Sequence, residues 1–185
     1  MKALKILALL LLAGAGLFAG MAFQNRASPP PTAPAKLDAD ALHRLLALRL
    51  PDTQGQEIAL AQWSGKVLVV NFWATWCPPC QAEMPAFSRL HEAWQAQNVQ
   101  FVGIAVDSAE NVRKFAAHTP VSYPLLIGGN GIAEHMRALG NPAMGLPFTL
   151  VLRADGKLQA SQLGGLRETE LDALLKAASA TAGQP

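Results

Sequence analysis

The chain of 185 residues contains two cysteines, and they stand close together in the sequence CPPC, from Cys77 to Cys80. A cysteine thiolate attacks disulfides, and a second thiol nearby displaces the product from the mixed disulfide that forms. A structural zinc site needs four ligands, and the chain has no second cysteine pair to supply them. A haem-attachment motif needs a histidine directly after the second cysteine, where Gln81 stands. The spacing therefore predicts a redox-active pair in which Cys77 attacks and Cys80 resolves.

The cysteine pair stands where a buried strand is followed by a helix. Residues 67–72 form an apolar run broken only by Asn71, which is typical of a strand covered on both faces. Residues 78–96 carry apolar side chains at helical spacing. Free amides and the dipole at the start of that helix favour the thiolate form of Cys77. The alternative is a passive disulfide, which would stabilise the chain only weakly because it closes a very small loop.

The remaining pattern predicts an α/β fold. Strands and helices alternate three times, and they are followed by a hairpin with its turn at Asp155 and Gly156 and by a last helix. This order gives a central mixed β-sheet with helices on both sides. Two short extended pieces around a turn precede the first strand, at about residues 50–58. The further predicted strands are 99–106, 123–127, 148–152 and 158–163, and the further predicted helices are 109–117, 131–139 and 168–178.

The N-terminal segment differs from the rest of the chain in charge and hydropathy. The net charge of +2 arises there, because residues 1–26 contain Lys2, Lys5 and Arg26 and no acid. The remainder is close to neutral, which argues against a nucleic-acid partner. Residues 6–23 are uncharged, and as a helix they would rise roughly 27 Å, close to the thickness of a bilayer core. The lysines before them keep that end cytoplasmic, so the chain that follows is exported.

These features divide the chain into three parts. We interpret residues 1–23 as a membrane anchor. The alternative is a cleaved secretory signal with a site after Ala22, but the apolar core of such signals usually has about 7–15 residues. Residues 24–40 are rich in proline and form a linker. Residues 41–185 are the globular domain.

Residues 69–85, VVNFWATWCPPCQAEMP, resemble the membrane-anchored thioredoxin-like family of the TlpA, ResA and DsbE type. The resemblance extends from about residue 48 to residue 178. It includes LPD at residues 50–52 and GLPFT at residues 145–149, whereas residues 107–144 match only in outline. It implies a thioredoxin-like fold with an N-terminal β-hairpin extension, and an activity in thiol–disulfide exchange. It implies no cofactor other than the redox-active disulfide Cys77–Cys80.

The resemblance also implies where a substrate binds. The Leu146–Pro147 peptide bond is expected to be cis, which leaves the Leu146 backbone free to pair with a substrate strand. Trp76, beside the reactive cysteine, is expected to shape the docking surface. From the residues alone, Pro147 is a proline at the start of a strand, where a missing N–H is tolerated.

Glu83 is a candidate for proton transfer. It lies three residues after Cys80, so both share a helix face, and its carboxylate could take the Cys80 proton directly or through water. The residues alone favour a solvated glutamate in the first helical turn. The family often has a functional acid at this point, which favours proton transfer instead. Thioredoxin itself has a buried aspartate where this chain has Asn71, and an amide cannot accept the proton.

These features together predict an exported, membrane-tethered thiol–disulfide oxidoreductase that reduces protein disulfides. No histidine stands between the cysteines to strengthen the thiolate, which favours the reducing side. The exported space is oxidising, so a reductase there needs an electron supply. The resemblance implies an inner-membrane electron donor of the CcdA or DsbD type, and apocytochrome c or copper-site cysteines as substrates. It also implies a single-pass protein of the bacterial inner membrane, with its catalytic domain facing the periplasm or extracytoplasmic space.

Two other functions could use the same cysteines. Thiol peroxidases share the LPD pattern, but they usually have a threonine three positions before the reactive cysteine, where this chain has Ala74. A copper chaperone would use Cys77 and Cys80 as ligands, but such chaperones have a wider cysteine spacing and a distant histidine. The sequence shows neither feature, and no metal site is predicted.

Overall fold

A five-stranded mixed sheet lies at the centre of residues 40–180, which are the part of the chain that the computed structural model describes. The anchor predicted for residues 1–23 and the linker predicted for residues 24–40 lie outside these residues, apart from residue 40 itself. No helix within residues 40–180 has the length and apolar character needed to cross a membrane. In chain order, the strands are β1 (Arg49–Pro51), β2 (Glu57–Ala59), β3 (Val67–Trp73), β4 (Val99–Ala105), β5 (Leu125–Ile127), β6 (Phe148–Leu152) and β7 (Leu158–Leu163).

Strand β3 occupies the middle of the sheet, whose order is β5-β4-β3-β6-β7. Strand β4 runs parallel to β3 on one side, and β6 runs antiparallel to it on the other. All seven residues of β3 are buried, which explains its continuous apolar run. Phe72 pairs with both Ile104 and Phe148, so the end of β3, the end of β4 and the start of β6 meet at one edge of the sheet.

Helices cover both faces of this sheet and form two hydrophobic cores. Successive side chains of β3 point to opposite faces, so Val69 lies in one core and Val70 in the other. Helices α2, α3 and α5 contribute to the first core, and α1 and α4 contribute to the second. The α-helices of residues 40–180 are α1 (Ala41–Leu46), α2 (Pro78–Trp94), α3 (Ala109–His118), α4 (Ile132–Ala138) and α5 (Glu168–Ala180).

The predicted fold class is confirmed, including the N-terminal hairpin. Strands β1 and β2 form a separate antiparallel pair. Asp52, directly after β1, makes an antiparallel bridge with Leu126 of β5. Strand β5 is an edge strand of the main sheet, so the hairpin covers part of an edge that would otherwise be open to pairing with other chains.

Several element boundaries differ from the sequence prediction. The helix predicted for 78–96 ends at Trp94 and continues as one 3₁₀ turn before Asn98 adopts a positive φ of 63°. The strand predicted for 123–127 begins at Leu125, since Pro124 has no N–H to give to the ladder. Helix α1 was not predicted, because its six residues are too few for a helical period to be recognised.

Truncation of Leu171 should lower the free energy of unfolding by about 2–5 kcal/mol, because this fully buried side chain of α5 would leave a cavity in the first core. Urea unfolding of Leu171→Ala followed by far-UV circular dichroism measures the loss. Leu174→Ala is the control, because Leu174 lies on the same helix but is only partly buried. Its free energy of unfolding should fall by less. Equal losses in the two variants would contradict the packing described for α5.

Candidate active site

The two cysteines form a disulfide at the start of α2, directly after the loop that leaves β3. Cys77 is the N-cap residue, and its Sγ accepts a hydrogen bond from the Cys80 N–H at 3.3 Å. Pro78 and Pro79 occupy the first two helical positions, where a missing N–H leaves no intrahelical bond unmade. The Cys77 sulfur therefore lies at the N-terminus of a 17-residue helix, where an anion is stabilised.

The two cysteines differ in access to solvent. Cys77 is 4% exposed and Cys80 is fully buried. Both residues belong to the first core, and Cys77 is the one of the two with any exposed surface. This difference fits the predicted division of roles between an attacking and a resolving cysteine, which stays a prediction for each residue.

Glu83 is buried, with only 6% of its surface exposed, so the interpretation as a solvated first-turn glutamate is wrong. Its Oε1 accepts a hydrogen bond from Asn71 Nδ2 at 2.9 Å, and its Oε2 accepts one from the Leu166 N–H at 3.0 Å. Burial raises the pKa of Glu83 to about 7 and outweighs these two bonds, which lower it. A carboxyl with this pKa, three residues along the helix from Cys80, can exchange a proton near neutral pH.

Asn71 connects this carboxyl to the sheet. Its side chain is buried on β3, and its Nδ2 also donates to Thr149 Oγ1 on β6 at 3.0 Å. Asn71 and Thr149 are register partners across the two strands. Asn71 does not replace the aspartate of thioredoxin as a proton acceptor, but it donates to the carboxyl of Glu83.

The Leu146–Pro147 peptide bond is cis, as predicted. Pro147 immediately precedes β6, and its carbonyl accepts a hydrogen bond from the Gly164 N–H at 2.8 Å. The buried Asn141 closes the preceding turn, because its Nδ2 donates to the Gly145 carbonyl at 2.8 Å and its Oδ1 accepts from the Gly145 N–H at 3.0 Å. The loop before Pro147 is thus held at both ends.

Three large apolar side chains of residues 40–180 are exposed. One of them directly precedes Cys77, and the other two lie at the turn before Pro147. Trp76 is 65% exposed, Leu163 51% and Met144 39%. Trp76 precedes Cys77, and Met144 stands three residues before Pro147. A Cβ at Gly145 would lie 3.0 Å from Leu163 Cδ1, so Leu163 covers the same turn.

Trp76 was predicted from the sequence as part of the docking surface, whereas Met144 and Leu163 were not. Met144 has a positive φ of 53°, and its N–H donates to the Asn141 carbonyl at 3.1 Å. The signal available in the sequence was the turn pattern of Asn141-Pro142 and Gly145 around a lone methionine. Leu163 ends an edge strand, and its place beside that turn depends on the pairing of β6 with β7.

Comparison with known proteins identifies relatives that match about two thirds of the chain. The sequence profile of the AhpC/TSA family matches residues 43–161. The thiol-disulfide oxidoreductase ResA of Geobacillus thermodenitrificans (strain NG80-2) is 30% identical over 123 residues, which are 66% of this chain and 68% of that protein.

Two solved structures have similar folds. The thioredoxin-related protein from Neisseria meningitidis serogroup B is 36% identical with a TM-score of 0.63, covering 71% of this chain and 98% of that one. A thiol:disulfide interchange protein of the thioredoxin family from Chlorobium tepidum TLS is 28% identical with a TM-score of 0.62, covering 83% and 98%.

Glu83 should make the chain less stable as the pH rises. A raised folded-state pKa gives stability that is fully present below the unfolded value of 4.5 and is lost as the pH rises through about 7. The loss should be roughly 3 kcal/mol. Glu83→Gln should remove it, as measured by urea unfolding at a series of pH values between 4 and 8.

Glu134→Gln, which changes an exposed carboxyl on α4, serves as the control and should retain the pH dependence of the unchanged chain. Burial lowers the pKa of His91, so His91 acts in the opposite direction. The contribution of His91 is the same in the unchanged chain and in both variants, so it cancels when their pH dependences are compared. A pH dependence unaltered by Glu83→Gln would contradict the assignment.

Proposed function

We propose that this chain reduces disulfides of exported proteins. It belongs to the AhpC/TSA family and is a thiol–disulfide oxidoreductase of the ResA/DsbE type with a thioredoxin-like fold. Residues 1–23 would tether it to the inner membrane, and residues 24–40 would hold its catalytic domain in the extracytoplasmic space. The observation that carries the proposal is the disulfide at the start of α2, in which Cys77 is slightly exposed and Cys80 is fully buried.

In the first step, the Cys77 thiolate attacks one sulfur of a substrate disulfide. A bond forms between Cys77 Sγ and that sulfur, and the second substrate sulfur leaves as a thiolate that takes up a proton. In the second step, Cys80 gives its proton to Glu83, directly or through water, and attacks Cys77 Sγ. The remaining substrate sulfur leaves as a thiolate and is protonated, so the substrate gains two electrons and the enzyme becomes the Cys77–Cys80 disulfide.

The pKa of Glu83 supports its role in the second step. A base is most effective when its pKa is close to the working pH, and the pKa of Glu83 is about 7. The two hydrogen bonds from Asn71 Nδ2 and the Leu166 N–H stabilise the carboxylate before it takes up a proton. A buried carboxylate without such donors would pay a larger desolvation cost.

The reducing direction is supported by the composition of the motif. The sequence between the cysteines is Pro78-Pro79, so neither a histidine nor a cation strengthens the thiolate beyond the effect of the helix terminus. A less stabilised thiolate makes the reduced form the better electron donor. The oxidised enzyme would be returned to its dithiol form by an inner-membrane donor of the CcdA or DsbD type.

The substrate would dock as an extended protein segment over the loop before β6. The Leu146 backbone would pair with that segment, and Trp76 and Pro147 would border it. The exposed side chains of Met144 and Leu163 extend this border with apolar surface, which suits a protein segment better than a small polar disulfide. Apocytochrome c and proteins with copper-site cysteines are the proposed substrates.

Replacement of the resolving cysteine should trap the substrate. Cys80→Ala leaves Cys77 able to attack but removes the thiol that releases the product, so protein partners should accumulate as mixed disulfides. The full-length variant, made in a bacterial host and isolated after acid quenching, is analysed by non-reducing electrophoresis and mass spectrometry. Cys77→Ala is the matched control and should trap none. Failure of Cys80→Ala to retain any protein through Cys77 would contradict the proposed activity.

The reduction potential tests the direction separately. Equilibration of the disulfide with defined ratios of reduced and oxidised dithiothreitol should give a value in the range of glutaredoxins and thioredoxin, roughly −200 to −270 mV. A value near that of the strong oxidant DsbA, about −120 mV, would overturn the reducing direction while leaving the exchange activity intact.

A further inference from the structure

Thr75 stands two residues before Cys77, and each of its polar groups has a partner. Its N–H and its hydroxyl both donate to Asp107 Oδ2, at 3.1 Å and 2.5 Å. Its carbonyl accepts a hydrogen bond from Gln81 Nε2 at 2.5 Å. The residue is therefore bound on one side to the segment after β4 and on the other to the first turns of α2.

Asp107 is itself fixed by the start of α3. Its Oδ1 accepts hydrogen bonds from the Ser108 N–H at 2.7 Å and from Asn111 Nδ2 at 2.8 Å. Burial alone would raise the pKa of Asp107, but the hydrogen bonds from Thr75, Asn111 and Ser108 outweigh burial and hold that pKa below its ordinary value. Asp107 is thus a carboxylate with four donors, which are two groups of Thr75, the N–H of Ser108 before α3 and the side chain of Asn111 in α3.

The loop that Asp107 holds is anchored at its two ends, because Ala74 and Cys77 are buried in the first core. The hydrogen-bonded ladder of β3 ends at Trp73, whose carbonyl accepts from the Val106 N–H at 2.8 Å. Within the loop, the Cys77 N–H donates to the Ala74 carbonyl at 3.2 Å. Trp76 is largely exposed, so its side chain has little packing with which to fix the backbone. Between Ala74 and Cys77, the polar contacts that fix the loop are therefore those of Thr75.

We infer that Asp107 is a positioning residue for thiol–disulfide exchange. By holding Thr75, it keeps the Trp76 side chain and the Cys77 sulfur in the orientation in which a protein disulfide approaches them. Asp107 contacts neither sulfur nor substrate. This role belongs to the exchange reaction itself, so it does not depend on the direction, the substrate or the location proposed above.

Two other roles would produce the same hydrogen bonds. In the first, Asp107 only stabilises the start of α3, together with the true N-cap Ser108, whose Oγ accepts from the Asn111 N–H at 3.2 Å. In the second, Asp107 acts on the cysteine through its charge alone. A negative charge near a thiolate disfavours it, so removal of the charge would make the thiolate form at lower pH.

Four variants of the full-length reduced chain separate these roles. Thr75→Val removes the hydroxyl donor without changing volume or charge, and Thr75→Ser keeps it. Asp107→Asn removes both the charge and one acceptor while keeping the size of the side chain. Ser108→Ala removes the cap of α3 but keeps the backbone N–H that donates to Asp107. Thermal unfolding of each variant verifies that it is folded at the assay temperature.

The reaction is followed with two oxidants, insulin as a protein disulfide and glutathione disulfide as a small one, between pH 5 and 8. We expect Thr75→Val and Asp107→Asn to react with insulin at least tenfold more slowly than the unchanged chain throughout this range. Thr75→Ser and Ser108→Ala should stay within twofold of it. If these two variants also react equally slowly with glutathione disulfide, the effect is on the Cys77 sulfur. If they react slowly with insulin alone, the effect is on the Trp76 side chain. Both results support the inference.

Three results would overturn the inference. The first is a rate within twofold for Thr75→Val with both oxidants. The second is a loss for Ser108→Ala as large as that for Thr75→Val, which would assign the bonds to the stability of α3. The third is a reaction rate that rises at pH 5–6 for Asp107→Asn and stays at that of the unchanged chain for Thr75→Val. This result would mean that Asp107 acts on the cysteine through its charge alone.

Discussion

The pairing of β3 on both of its edges is the constraint on which the rest of the site depends. Strand β3 is parallel to β4 and antiparallel to β6, so three chain segments arrive at one edge of the sheet. The end of β3 leads to Cys77, the end of β4 leads to Asp107, and the start of β6 is preceded by Pro147. A shift of one residue in either pairing would turn the buried side chains of β3 to the wrong faces and separate these segments.

The second constraint is the burial of an ionisable group beside the redox pair. Glu83 is removed from water by the first core, and its two oxygens are satisfied by a side chain of β3 and a backbone amide before α5. Complete exposure would return its pKa to an ordinary glutamate value, and burial without donors would raise the pKa above about 7 and raise the cost of ionisation. The balance between burial and hydrogen bonding sets the proton affinity near neutrality.

The sequence predicts those parts of the fold whose determinants are local. Strand β3 and helix α2 were predicted because long apolar runs and helical spacing surround the motif, and the cis bond before Pro147 followed from the resemblance to a known family. The burial of Glu83 could not be predicted from its neighbours, because the Leu166 amide that satisfies it lies 83 residues away. The bond between Thr75 and Asp107 spans 32 residues and joins two loops, for which periodicity gives no signal.

The difference in burial between Cys77 and Cys80 would make the proposed exchange regioselective. An incoming disulfide would meet Cys77, because Cys80 is fully buried in the first core. Release of the product would then be an internal displacement within the covalent complex, and the proximity of Cys80 would favour it over attack by a free thiol. The lifetime of each complex would consequently depend less on the free thiols around it than the lifetime of a complex that has no second cysteine.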